Sequence, residues 1–234
     1  TYSKTFTEYV NTSKATVITH DITFERKNNR IKATSDIRVQ NQKKEPLHEV
    51  IFYLNPALKI ESIKWNDKKV NFERNHQVIR IKQQMLPHES CHVTMDYQGK
   101  IDENICYLDI SNIQIQDIDK HIACPVGKRY AFLQDDYTLL LPEVLWYPVT
   151  EPPANTTSRN NVSKNFTYYT LKVLGESEQI VISQGERIPG EGYTLFRNSN
   201  PLTGISICIG NYEIRSIQVD SVLYELYLLK SDAL

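Results

Sequence analysis

Five consecutive residues, His88-Glu89-Ser90-Cys91-His92, spell H-E-x-x-H. On a helix that spacing puts two imidazoles on one face, where they hold zinc while the glutamate activates a metal-bound water. The neighbouring residues argue for a different backbone. Pro87 precedes the first histidine, and Val93-Thr94-Met95-Asp96-Tyr97 alternates apolar with polar, as a strand does. Extended chain carries residues four apart roughly 13 Å along the strand, whereas zinc bonds each ligand at about 2 Å. A catalytic zinc also needs a third protein ligand, and Ser111 occupies the place where a glutamate would be expected. His88, Glu89 and His92 are therefore read as a turn feeding a strand, with a coincidental motif and no metal.

Other chemistry-bearing patterns are weaker. His20, His48, His76 and His121 occur singly and read as surface or packing residues. No G-x-S-x-G elbow, Walker A loop or G-x-G-x-x-G is present. Gly185, Gly190 and Gly192 lie close together, but read as turn glycines in a loop between strands. The 14 tyrosines would suit stacking on sugars or bases, yet most fall within strand patterns, where half-buried packing is the default. The four cysteines, Cys91, Cys106, Cys124 and Cys208, include no C-x-x-C pair. Their even number permits two disulfides, but a chain this long does not need them, and they read as free, mostly buried thiols. N-x-S/T sequons at Asn11, Asn155, Asn161 and Asn165 lie largely in Asn/Thr/Ser-rich sequence, where composition alone generates them. They leave the compartment open.

The elements that must position these residues are strands. Hydrophobic residues make up 40% of the chain and charged ones 24%, the balance of a folded domain. A net charge of −1 with interleaved signs gives no electrostatic basis for nucleic-acid binding. No run of about 18 apolar residues is present to span a membrane, and no signal peptide is visible at the start. Residues 1–15 are polar without a clear period and read as a lead-in segment. From residue 16 alternation takes over, through 16–24 and 31–39, with Lys27-Asn28-Asn29-Arg30 as a hairpin turn. In the first of these stretches Ile18, His20, Ile22 and Phe24 are set on one face, opposite Val17 and Thr19. Further strands are expected at 49–54, 59–65, 78–81, 91–97, 167–173, 179–183, 193–196, 205–209 and 221–229. A short helix is expected only around 137–145. Residues 151–165 form the one obvious loop, and the strand grammar on either side of it is alike, so 16–234 reads as a single domain. The fold class is all-β, an antiparallel-rich sandwich or saddle-shaped sheet of many short strands.

Several segments carry a resemblance. Ile31–Gln40 (IKATSDIRVQ), Val50–Asn55 (VIFYLN) and Leu58–Trp65 (LKIESIKW) with the Asn66-Asp67 turn are similar to opening strands of one family. Met85–Glu89 (MLPHE) with Val93–Gly99 (VTMDYQG), Leu145–Pro148 (LWYP), Val181–Gly185 (VISQG) and Pro201–Tyr212 (PLTGISICIGNY) follow in the same order. Their order and spacing across roughly 200 residues resemble the N-terminal, non-catalytic domain of the gluzincin zinc aminopeptidases, the group of aminopeptidase N and leukotriene hydrolase.

The resemblance implies a domain that caps one side of an active-site cleft, with its own C-terminal catalytic domain as partner and peptide as possible substrate. Zinc would belong to that catalytic domain of a parent enzyme, and this fragment would have no cofactor and no activity alone. In the family a loop carrying Q-x-E/Q some dozen residues before the W-Y-P landmark contacts the free amine of the peptide. Here Gln134-Asp135-Asp136 stands at that place before Trp146-Tyr147-Pro148, so Gln134 and Asp136 are the candidate substrate contacts. An amide oxygen and a carboxylate can share the donors of an ammonium group. Asp136 is one methylene shorter than the family's Glu or Gln, and the bland alternative is a solvated acidic turn. Domains of this resemblance also accompany membrane transport permeases of the ABC type. The alternative reading is thus an extracytoplasmic interaction module, tethered to a membrane only by segments outside this chain.

Overall fold

The computed structural model describes residues 1–106, 130–151, 165–175 and 179–230. The chain opens with helix α1 (Tyr2–Tyr9), then β1 (Thr16–Lys27), β2 (Arg30–Gln40), β3 (Val50–Tyr53) and β4 (Leu58–Trp65). β5 (Lys68–Lys69), β6 (Glu73–Asn75), β7 (Val78–Ile81) and β8 (Ser90–Gly99) complete the first part. β9 (Ala131–Leu133), β10 (Tyr137–Leu140), β11 (Tyr168–Leu174), β12 (Ile180–Ser183) and β13 (Glu186–Gly190) come next. β14 (Tyr193–Arg197), β15 (Ile207–Gly210), β16 (Tyr212–Val219) and β17 (Val222–Leu229) follow. The fold is all-β.

One large sheet runs β13-β14-β11-β1-β2-β8-β4-β5, and smaller ones run β12-β15-β10-β9 and β3-β7-β6, with β16-β17 as a separate pair. Pairing is antiparallel except between β1 and β11, which lie parallel from Thr19↔Tyr168 to Glu25↔Leu174. That contact joins the two halves of the chain on either side of residues 151–165.

The hairpin anticipated at 27–30 forms, with Asn28 in the left-handed region at φ 53°. Asn66 and Asp67 both have positive φ, 46° and 64°, as a tight turn matched to strand twist requires. In β1 a bulge near Ile18 shifts the alternation. Val17 therefore faces the core together with His20, Ile22 and Phe24, not opposite them.

Three expectations are corrected. Residues 2–9 are a helix, with Thr1 Oγ1 accepting from the Lys4 amide as its N-cap. The signal was the stripe Tyr2-Thr5-Phe6-Tyr9, spaced for one helical face. The region 137–145 is strand β10 followed by a 3-10 turn at Pro142–Val144, because Tyr137–Leu140 is pinned between β9 and β15. Glu186–Gly190, read as loop, is strand β13. Its pairing with β14 supplies the bonds that its Pro and Gly content seemed to forbid, since it sits at a sheet edge.

The unbroken apolar run of β3 is buried on both faces. Val50 and Phe52 join the main core, while Ile51 and Tyr53 meet Tyr9, Val78, Ile105 and Leu145. Helix α1 thus seals the second face of β3, and Tyr53 Oη donates to the Tyr9 carbonyl at 3.1 Å.

Trp146 and Tyr147 are fully buried and cross nearly perpendicular at 4.6 Å, with Phe24 against the indole at 5.7 Å. His20 lies beneath them, 2.8 Å from Ser35 Oγ and edge-on to Tyr147. Burial pushes the imidazole down to about 3, so it is neutral. The thiols Cys91, Cys106 and Cys208 are free, whereas Cys124, His121, Ser111 and two sequons lie outside the described residues.

Candidate functional site

The H-E-x-x-H segment runs from a turn into β8. His88 has φ 63°, and its amide donates to the Asn41 carbonyl at 2.8 Å. Glu89 closes the turn: its Oε2 accepts the Leu86 amide at 2.6 Å, and its Oε1 lies 3.7 Å from Cys91 Sγ. Cys91 points into the core, where burial pushes its thiol up to about 11. His92 lies on the opposite face of β8, where Nε2 meets the Asp36 carboxylate of β2. The three motif side chains are thus divided between a turn and an outer sheet face. Among the described residues no three His, Cys, Asp or Glu groups gather as metal ligands would.

Gln134, Asp135 and Asp136 form the turn between β9 and β10. The Gln134 amide donates to the Tyr137 carbonyl at 2.9 Å, and Thr138↔Leu133 begins the ladder. All three side chains are exposed, with no hydrogen-bond partner among the described residues. Their backbone, by contrast, is held firmly. Arg26, at the end of β1, donates Nη1 to the Gln134 carbonyl and to Thr138 Oγ1 at 3.3 Å. Its Nη2 donates to the Asp135 carbonyl at 3.0 Å and to Gln179 Oε1 at 2.8 Å. Gln179 Nε2 in turn donates to the Asp135 carbonyl at 2.9 Å and the Asp136 carbonyl at 3.3 Å.

The planar fork of a guanidinium suits this task, since it can address several acceptors at fixed angles. The result is a pinned turn that directs one amide and two carboxylates outward, an arrangement able to accept bonds from a cationic or amine-bearing group. Arg26 and Gln179 escaped sequence reasoning because they lie more than 40 residues from the turn they hold. No local signal marks either of them.

Asparagines supply the remaining architecture around the site. Asn55 is fully buried, with Nδ2 donating to Val144 O at 2.7 Å and Asp102 O at 2.9 Å. Its Oδ1 accepts the amides of Ala57 and Asp102. It thereby fixes the segment before Trp146, which follows β10 in the chain.

No family model and no curated protein matches this sequence. Solved structures do match. An M1 zinc metallopeptidase from Deinococcus radiodurans superposes with a TM-score of 0.63 over 92% of this chain and 47% of its own, at 13% identity. A two-domain M1 zinc metallopeptidase variant bound to L-tryptophan gives 0.62 over 92% and 48%, also at 13% identity. Aminopeptidase A from Legionella pneumophila, in complex with aspartic acid, gives 0.67 over 96% and 25%, at 12% identity. At such identities the likeness establishes a shared fold. This chain spans about half the length of the first two and a quarter of the third.

Proposed function

We propose that this chain is the non-catalytic β-rich domain of a zinc aminopeptidase, capping one side of a cleft completed by a separate zinc-binding domain. The observation that supports the reading most directly is the likeness in fold over 91–92% of this chain to M1 zinc metallopeptidases, each of which has as much length again left over. Within that reading the turn at 134–136 faces the bound peptide, and Gln134 Oε1 and the Asp136 carboxylate accept from its terminal ammonium. The Arg26–Gln179 clamp favours this role, because a recognition turn must hold its acceptors in place before the ligand arrives. Zinc belongs to the other domain, since the H-E-S-C-H segment here is built as turn and strand.

The test is kinetic. In the protein of which this chain is one domain, Gln134→Ala and Asp136→Ala are each expected to raise KM for free-amine aminoacyl substrates about 10- to 100-fold. That is the size of a charge-assisted bond of about 1.5–3 kcal/mol. The 234-residue chain alone is expected to hydrolyse none of these substrates with zinc added. Turnover by this chain that His88→Ala abolishes, or unchanged KM in both variants, would overturn the reading.

A further inference from the structure

The hairpin β16–β17 is built unlike the rest of the molecule. Its register runs from Tyr212↔Leu229 to Val219↔Val222, and residues directly opposite each other share a face. One face therefore gathers Ile217, Val219, Val222, Tyr224 and Leu226. These side chains remain 63%, 48%, 49%, 55% and 55% exposed. The opposite face is mixed: Ser216, Gln218 and Glu225 lie there beside Ile214 and Leu223, which are 40% and 56% exposed. The root is held closer to the rest of the chain, where a Cβ on Gly210 of β15 would stand 3.2 Å from Leu229, and within the hairpin Tyr212 and Tyr227 cross edge-on at 5.9 Å.

Alternation with one apolar face is the mark of a strand whose apolar side is covered. A contiguous exposed apolar patch on a folded domain marks an interaction surface, and a lone two-stranded hairpin is marginal in water. Both outer edges of the pair lack a neighbouring strand among the described residues along the eight-residue length of each strand. The charged groups bordering the patch are Glu213 and Arg215, paired at 2.8 Å, and Asp220 at the tip. Such a net negative rim is a poor match for an anionic lipid surface.

We infer that the Ile217–Leu226 face of this hairpin is the contact surface for a second folded domain of the same polypeptide, which covers the apolar stripe. The occupant is argued from the two-domain neighbour, of which this chain spans 48%; one further domain accounts for the rest of its length. The inference rests on the two-domain reading given above, but not on the chemistry assigned to that domain.

Hydrogen exchange tests it, comparing this 234-residue chain with the longer parent protein. In the chain alone, the amides of 212–229 are expected to exchange at least about tenfold faster than in the parent, while β1, β2 and β8 are equally protected in both. The double variant Ile217→Glu/Tyr224→Glu is expected to leave the melting temperature of the chain alone unchanged and to lower that of the parent. The neutral effect in the chain alone guards against a simple folding failure. Protection of 212–229 in the dilute chain alone, concentration-dependent protection with dimer formation, or no added protection in the parent would each overturn the inference. A parent that protects the hairpin yet binds no zinc and cleaves no peptide leaves it standing and removes the peptidase reading. A parent that cleaves peptides with an unprotected hairpin does the reverse.

Discussion

Two asparagines do the work of backbone in this molecule. Asn41 sits fully buried at the end of β2, with Nδ2 reaching the carbonyls of Glu45, Met85 and Leu86, so it ties down the turn that carries His88 and Glu89. Asn55 plays the same part after β3. Replacing it by Ala would strand the Val144 carbonyl and the Asp102 amide and carbonyl, and an unsatisfied buried group costs about 1–3 kcal/mol. Asn55→Ala is accordingly expected to destabilise the chain by about 3 kcal/mol, read as a lowered urea midpoint with unchanged slope.

His20 supplies a second prediction at this scale. Its folded value lies near 3, against 6.5 for an exposed imidazole. Above pH 6.5 both folded and unfolded states are neutral. Between pH 6.5 and 3 only the unfolded chain takes up the proton, so stability falls as the pH drops and levels off below pH 3. The limit of that loss is about 5 kcal/mol. Urea unfolding of His20→Phe at pH 7 and pH 4 should show a smaller acid loss than the native chain, because the titrating group is gone.

At the scale of elements, the β9–β10 turn owes its shape to a residue on another sheet. Arg26 belongs to the large sheet, yet its donors close around the carbonyls of Gln134 and Asp135 in the four-stranded one. Lysine keeps the charge but is a point donor without the fork. Arg26→Lys is expected to speed exchange of the Gln134 amide by at least about tenfold, while amides of β2 and β8 stay as they were. Equal exchange at Gln134 would show that the strands alone hold the turn. The outer face of the large sheet has comparable ties: Asp96 on β8 accepts from Thr34 on β2 and Ser62 on β4, each at 2.7 Å. His92 reaches Asp36 across the same face, which gives the motif histidine a structural use.

At the scale of the whole molecule, the parallel contact of β1 with β11 makes one sheet from residues 149 positions apart, 168 less 19. We propose that residues 16–234 act as a single domain. The fold is shared with chains about twice as long or longer.

The sequence by itself determined the strands whose alternation is strong. β2, β7 and β8 stand where the pattern put them, since period-two apolar spacing admits few other solutions. It also pointed to the backbone of the H-E-S-C-H segment, because Pro87 and the following alternation argue against a helix there. It was legible in part for α1, whose aromatic stripe is helical but too short to stand out from polar surroundings. Tertiary structure alone decided the rest. The β1 bulge, the partner of β13, the burial of Asn41 and Asn55, and the clamp of Arg26 and Gln179 on Gln134–Asp136 all join residues distant in the chain. Hydrogen bonds between such residues depend on where folding brings them, and no local periodicity records that placement.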